Sequence, residues 1–449
     1  MNLREAEDYL LGLELFGMRF GLDRMHKLMT VLGMPQRRFA SIHVVGTNGK
    51  SSTVRMIAAI LERHGFATGS YTSPHLGSFR ERVEVGERPV SEADFAAAVT
   101  TAARAAGLVD RTLAVARGRS STAPADDRVT QFEALTAAAY HELGRREVEV
   151  AVIEAGLGGR YDATNVIPSK VQVLTGVSLE HARWLGPTIA DVAAEKLAVV
   201  RDHGVLVAGQ LDPEAKAVAE RAVAARSARL VSAPSDVGVE LRARGAFQRR
   251  NFAVAAAAAA AFLDPASVSE ASPLGLLDRE AVRRAAAETR IPGRLEVVGE
   301  RPLTIYDAAH NPAGARALRD ALPELIGGGP KGEGAPTGAT DRGARRPVVA
   351  VIAVLEDKDA AGMLAALVPA CDRALFTRCA NPRSLPPATL ETLADKLGGP
   401  PAETFRDPRA AVARARELAG DDGAVIVTGS IYLIADLVRE SSAQRASTL

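Results

Sequence analysis

Apolar residues recur in two rhythms along this chain, and the rhythms alternate. Leu10, Leu13, Leu15 and Phe16, then Leu22, Met25, Leu28 and Met29, follow helical spacing across residues 5–33. The run Ile42–Val45 is short, apolar and ends in glycine, as a buried strand does. Helical spacing returns over Ser52–His64, where Val54, Ile57, Ala58 and Leu61 share one face. Val148–Ile153, Val171–Val177 and Val205–Ala208 read as further strands, with helical segments between them. A second set follows Ile291-Pro292-Gly293-Arg294, which has the character of a hinge. There Leu303–Tyr306, Val348–Val354, Ala374–Thr377 and Ala424–Val427 are expected strands. Helices are expected after Pro312, Asp359, Pro387, Pro408 and Ser430. Strands alternating with helices predict an α/β protein whose parallel sheets are covered on both faces. The expected division is residues 1–290 and 291–449. Inside the second part, Gly327–Arg346 is rich in Gly, Pro and Thr without apolar period, and is expected to be a surface loop.

Composition narrows the picture by exclusion. A formal net charge of +1 leaves no basic surplus for a nucleic-acid backbone, so no nucleic-acid partner is expected. The longest apolar stretch, Ala253–Leu263, is alanine-rich and shorter than the roughly 20 residues of a bilayer span. It reads as a buried helix, and no membrane partner is expected. Met1-Asn2-Leu3-Arg4-Glu5-Ala6-Glu7 carries no apolar signal core. The two cysteines, Cys371 and Cys379, are too few for a disulfide framework or a four-ligand zinc site. A reducing compartment suits them, and the expected location is cytoplasmic.

The chemistry begins at Gly46-Thr47-Asn48-Gly49-Lys50-Ser51-Ser52, between the Ile42–Val45 strand and the following helix. Glycines let backbone N–H groups converge on phosphate oxygens, and the helix N-terminus adds positive potential. Lys50 supplies a point charge for the β- and γ-phosphates, and a hydroxyl beside it can reach Mg²⁺. The general phosphate-loop pattern has glycine at position 44, where this chain has Val44, so this is a variant loop. Strand, turn, Lys-Ser and helix together predict a nucleotide site.

This loop resembles that of the Mur ligase superfamily. An ordered series of further segments resembles the folylpolyglutamate synthase/dihydrofolate synthase family. It comprises Ile42-His43-Val44-Val45, Tyr71-Thr72-Ser73-Pro74-His75-Leu76, Arg80-Glu81-Arg82-Val83 and Glu154-Ala155-Gly156-Leu157-Gly158-Gly159-Arg160. Asp162-Ala163-Thr164-Asn165, His181, Trp184-Leu185-Gly186, Glu195-Lys196 and Pro292-Gly293-Arg294 continue it. Asp307-Ala308-Ala309-His310-Asn311-Pro312, Asp357-Lys358-Asp359 and Val427-Thr428-Gly429-Ser430 complete it. Each motif alone is weak, but the ordered set is specific and spans nearly the whole chain. The resemblance implies a Mur-ligase-like ATP-binding domain followed by a smaller Rossmann-like domain. It also implies ATP-dependent joining of glutamate to a folate-type carboxylate through an acyl phosphate. Family members extend folate polyglutamates, convert dihydropteroate to dihydrofolate, or do both. A Mur-type ligase acting on a cell-wall nucleotide peptide is one rival. It would carry a uridine-nucleotide domain before the loop, which here begins at Gly46. A non-catalytic nucleotide-binding regulator is the other.

By the same resemblance, Thr47, Asn48, Gly49, Lys50 and Ser51 hold ATP phosphates. Asn251, Arg294 and Asp307 also contact ATP. Ser73, Glu154 and His181 are implied ligands for two Mg²⁺ ions; the family has Asp where this chain has Glu180. Lys196 matches a lysine carbamylated in the family, and its spacing from Val192 and Val200 places it on an apolar helix face. His310 is implied near the acyl phosphate and the incoming amine, and counts with Lys50 and Lys196 as catalytic. Thr130, Phe132, Glu133 and Asp162 match the pterin neighbourhood. Thr130 and Glu133 also have capping-box spacing, so a helix start explains them equally. The expected partners are small molecules only (ATP, L-glutamate, folate or dihydropteroate), and the expected state is a monomer. Ser51 stands where the family pattern has glycine, which restores the Lys-Ser pair of general phosphate loops.

Overall fold

The computed structural model describes residues 1–13, 21–117, 128–269, 272–327 and 346–439. Leu15, Phe16 and nearly all of the Gly327–Arg346 loop lie outside the described residues. The chain forms two compact units. One takes in Met1–Arg242 and Arg249–Thr289, the other Ala243–Gln248 and, from Arg290, the rest of the described residues.

The first unit is built on an eight-stranded sheet. Its strands are β1 (Ala40–Val45), β2 (Thr68–Tyr71), β3 (Val83–Val85), β4 (Arg88–Pro89), β5 (Val150–Glu154), β6 (Val171–Leu174), β7 (Val205–Ala208) and β8 (Arg229–Ser232). Their order across the sheet is β4-β3-β2-β5-β1-β6-β7-β8. The six strands from β2 to β8 in that order are parallel, while β3 pairs antiparallel with β2 and β4 antiparallel with β3. The parallel sheet expected from alternation is present, and antiparallel pairing of β3 and β4 extends it at one edge. Hairpins need no crossover helix, so β3 and β4 leave no trace in a strand–helix rhythm.

Helices α1 (Leu3–Leu11), α2 (Asp23–Val31), α3 (Lys50–Arg63), α4 (Glu92–Arg117), α5 (Gln131–Arg145), α6 (Ala182–Leu185), α7 (Ile189–Leu197), α8 (Pro213–Ala225), α9 (Ala246–Leu263) and α10 (Arg279–Glu288) accompany these strands. Leu10, Met25, Leu28 and Met29 join Tyr71, Phe95 and Tyr140 in one core. Leu197, Ala215 and Val218 form another with Val45 and Leu206. Every side chain from Phe252 to Ala261 is buried in α9, as the alanine run predicts. Among the described residues, no helix is long and apolar enough to cross a membrane.

The second unit carries β9 (Glu296–Glu300), β10 (Leu303–Tyr306), β11 (Val348–Ile352), β12 (Arg373–Phe376), β13 (Ala402–Thr404) and β14 (Ala424–Thr428). They lie in the order β13-β12-β11-β14-β10-β9, parallel except for β9. Helices α11 (Pro312–Ile326), α12 (Ala360–Leu367), α13 (Pro387–Lys396), α14 (Pro408–Ala419) and α15 (Ile431–Val438) begin where proline or a capping residue marks a start. Asn311 caps α11 by accepting from the Gly314 N–H at 2.8 Å. Leu318, Ile352, Met363, Phe376 and Ile426 are at its core.

Candidate active site

In a parallel sheet, ligands bind beyond the carboxyl ends of the strands. In the first unit, the loops after β1, β2, β5 and β6 lie at that end of the sheet and carry the expected site residues. The loop after β1 turns through Gly46 (φ 150°) and Gly49 (φ 84°), and α3 starts at Lys50. Thr47 N–H donates to Gly176 O at 2.9 Å, and Thr175 Oγ1–H donates to Asn48 O at 2.7 Å. Thr47 Oγ1 accepts from Ser178 N–H at 3.1 Å. The loop after β6 thus clamps the phosphate loop from one side. Asn251, on α9, lies against it: a Cβ on Gly49 would come within 2.4 Å of Asn251 Oδ1.

Glycine is required at position 46 by contact as well as conformation. A Cβ there would stand 1.9 Å from Thr175 Oγ1 and 3.2 Å from the Thr175 backbone nitrogen, so turning one side chain does not relieve it. Gly46→Ala is expected to destabilise the first unit by about 1–3 kcal/mol and to weaken nucleotide binding. Denaturant melts and calorimetric titration with ADP would measure the two effects.

Glu154 closes β5, buried, at the centre of the crevice. Its Oε1 accepts from Ser51 Oγ at 3.0 Å, and its Oε2 from the Ser73 backbone N–H at 3.1 Å. The residue after Lys50 and the residue after β2 therefore meet on one carboxylate. Among the described residues, no three His, Cys, Asp or Glu side chains converge on a metal-sized site. Mg²⁺ does not require such a cage: it keeps several waters and takes one or two protein oxygens plus phosphate. A carboxylate flanked by two serines at the mouth of a phosphate loop fits that demand. His181, after β6, adopts a left-handed backbone (φ 52°), and its Nε2 is 3.5 Å from Glu180 Oε1. Glu180 thus sits beside the ring it precedes.

Lys196 departs most from an ordinary lysine. It lies in the last turn of α7, only 4% exposed, and its Nζ donates to Gly46 O at 2.9 Å. The helix ends at Leu197, so Val200 is beyond it rather than on its face. Burial, reinforced by the charge of Lys50, pulls the Lys196 pKa down to about 7. An amine so placed is substantially neutral near physiological pH, hence nucleophilic.

Phe132, Tyr71 and Asp162 gather around the glycine-rich loop after β5. A Cβ on Gly156 would meet the Phe132 ring at 2.7 Å, and Phe132 stacks tilted on Tyr71 with centroids 6.2 Å apart. Asp162 Oδ2 accepts from Leu157 N–H at 2.8 Å. Thr130 and Glu133 form the capping box of α5, and both Glu133 oxygens accept from Arg24 Nε at 3.1 Å. Their visible work is structural.

In the second unit, two expected residues meet on one carbonyl, and a third lies beside it in sequence. Arg294 Nη1 donates to Ala308 O at 2.7 Å, and His310 Nδ1 donates to the same oxygen at 3.1 Å. A carbonyl only accepts, so in a neutral His310 ring Nε2 is the acceptor nitrogen. Asp307, buried, accepts from Leu295 N–H at 3.0 Å and Ala309 N–H at 2.9 Å. Burial raises its pKa, against the opposing pull of Arg294.

Relatives share both units. Residues 335–431 match the model of the Mur ligase glutamate ligase domain. The dihydrofolate synthase/folylpolyglutamate synthase of Mycobacterium tuberculosis is 33% identical over 86% of this chain and 80% of its own. Folylpolyglutamate synthase of Lacticaseibacillus casei is 31% identical over 98% of this chain and 99% of its own. The chain belongs to the folylpolyglutamate synthase/dihydrofolate synthase family. The structure of the M. tuberculosis folylpolyglutamate synthase complexed with ADP and AMPPCP superposes with a TM-score of 0.82, at 31% identity and 97% coverage of both chains. That of E. coli FolC with DHPP and ADP gives 0.76 at 28% identity, with 97% of both chains covered. Members of this family are ATP-dependent ligases of the Mur type, and this chain has their two-domain α/β fold.

Sequence reading missed the family member's second line of residues. Thr175, Gly176 and Ser178 hold the phosphate loop, yet they form no motif by themselves. Arg24 pairs with Glu133 across 109 positions, a separation at which only the fold sets distance. Thr175 and Gly176 fell inside the expected strand Val171–Val177, which in the structure ends at Leu174, so their place at its end was the one available signal.

Proposed function

We propose that this chain joins L-glutamate to a folate-type carboxylate with ATP, through an acyl phosphate. The substrates follow the relatives' names: dihydropteroate for dihydrofolate synthesis, a reduced folate for polyglutamylation, or both. One observation carries the reading. Ser51 and Ser73 meet on Glu154 beside a phosphate loop whose Gly46 carbonyl is held by a buried lysine.

The loop N–H groups and the α3 N-terminus receive the phosphates, and Lys50 adds the point charge. Magnesium, when bound, neutralises charge on the β- and γ-phosphates; Glu154, Ser73, His181 and Ser51 would hold up to two ions. Transfer of the γ-phosphoryl group to the substrate carboxylate needs charge compensation and alignment more than covalent help from the protein. Neutral Lys196 can add CO₂: an N–C bond forms, one proton leaves the nitrogen for solvent, and the neutral amine becomes a carbamate anion. Asn251, and in the second unit Arg294 and Asp307, are assigned to ATP. His310 is assigned to the attack step, its Nε2 lone pair suited to take the proton that the glutamate amine loses. Phe132 and Asp162, with Thr130 and Glu133 framing them, are assigned to the pteridine ring.

Phosphate release is the test. With ATP, Mg²⁺ and L-glutamate present, dihydropteroate and a reduced folate are supplied in turn. At least one should raise release well above the rate without it. Folded enzyme stimulated by neither would refute the folate assignment.

A further inference from the structure

His43 occupies the middle of β1, in register with Ile153 of β5 and Gln172 of β6. It is wholly buried. Its Nε2 lies 2.8 Å from Thr164 Oγ1. The same hydroxyl hydrogen-bonds Asp162 Oδ1, which also accepts from the Thr164 N–H at 3.0 Å. Tyr140 O–H donates to Thr164 O at 3.0 Å and fixes this short 3₁₀ turn from behind.

Directionality follows from the chemistry of the groups. Burial pushes the Asp162 pKa up, and the Thr164 hydroxyl with the Leu157, Thr164 and Gly156 N–H groups opposes that by bonding the charged form. As a carboxylate Asp162 only accepts, so the Thr164 hydroxyl donates to it. That hydroxyl must then accept from His43, which places the ring proton on Nε2 and the lone pair on Nδ1. Nδ1 has no hydrogen-bond partner among the described residues. Burial, with the nearby Arg201 charge, lowers the His43 pKa to about 3, so the ring is neutral. Leaving a polar nitrogen unpaired in a central strand is costly, and a plain packing role would be met by an aliphatic side chain as at Ile42 and Val44.

We infer that His43 and Thr164 are a positioning pair for Asp162, orienting its carboxylate for N–H donors on the heteroaromatic ring of the substrate. This rests on the assignment of Asp162 to that ring made above. The path His43 Nε2–H to Thr164 O–H to Asp162 Oδ1 aims one oxygen, and Leu157 N–H aims the other. Neither His43 nor Thr164 needs to touch substrate. Their effect reaches it through the angle of one carboxylate, and displacements of about 1 Å at such a group are enough to matter.

The experiment uses the full chain. Steady-state kinetics are measured for Thr164→Val, Thr164→Ser, His43→Leu, His43→Gln and Asp162→Asn. The ¹⁵N shifts of histidine-labelled wild type are recorded, with His43 assigned by its loss in His43→Gln. Expected shifts are those of a neutral ring protonated on Nε2. Thr164→Val and His43→Leu should raise KM for the folate-type carboxylate roughly ten- to a hundredfold, with KM for ATP unmoved. Thr164→Ser and His43→Gln keep the hydroxyl and the N–H donor and should recover most of the loss. In an Asp162→Asn background, Thr164→Val should add nothing. A His43 ring protonated on Nδ1 overturns the pair. A Thr164→Val enzyme that melts earlier but keeps its carboxylate KM overturns the positioning role and leaves Asp162 standing. An Asp162→Asn enzyme with unchanged carboxylate KM overturns the substrate role of Asp162, and the inference with it.

Discussion

Lys50→Ala is expected to cut ATP-dependent turnover by about a thousandfold or more, with the fold intact. Lys50 opens α3 at the mouth of the loop, half-buried, and its Nζ donates to a carbonyl of the same loop, Thr47 O, at 3.2 Å. No core side chain depends on it, so its deletion removes charge rather than packing. Phosphoryl transfer spreads negative charge over oxygens that the loop alone compensates only through N–H dipoles. The check pairs phosphate release with circular dichroism and a thermal melt. A folded Lys50→Ala protein with near-normal turnover would mean that the phosphates bind elsewhere.

Lys196 carries the second large effect. Lys196→Ala and Lys196→Arg are both expected to lose about a hundredfold or more in kcat. Arginine keeps the cation but forms no carbamate, so equal loss in both variants separates an anionic role from a cationic one. If Lys196→Arg retained most activity, the carbamate would be excluded and a donor to Gly46 O would suffice. The buried amine also leaves a mark on stability. Its pKa is lowered from 10.5 to about 7 by folding, so between those values the unfolded chain holds the extra proton. Stability contributed by this site therefore rises with pH across that window, and the full penalty is present below about 7. Each unit of the displacement corresponds to about 1.4 kcal/mol. In CO₂-free buffer, Lys196→Met should flatten this rise relative to wild type, as denaturant melts at neutral and alkaline pH would record.

The two halves of this site differ in how they enter the sequence. Gly46 to Ser52 is contiguous, because a strand, a turn and a helix start must follow one another to cradle a phosphate. Glu154 is readable for a related reason: it ends an apolar run and precedes glycines. Lys196 was marked by its place among apolar residues, but its carbonyl partner Gly46 stands 150 positions away. Asp307 and His310 belong to one short motif, whereas the meeting of His310 with Arg294 on Ala308 O, and of Asp307 with the Leu295 N–H, required the hairpin of β9 and β10.

Strand and helix periodicity, the phosphate loop and the order of motifs were determined by the sequence itself, since each is set by neighbours within a few turns of chain. The antiparallel β3, β4 and β9 were not, because edge strands paired through hairpins carry no rhythm distinguishable from loop. Nor were Thr175 on Asn48, Arg24 on Glu133, or His43 on Thr164 and Asp162. Parallel pairing of β1 with β5 and β6 brings the first and third of these together, and the packing of α2 on α5 the second. A hydrogen bond requires about 3 Å between its atoms, and for residues a hundred positions apart only the tertiary fold can set that distance.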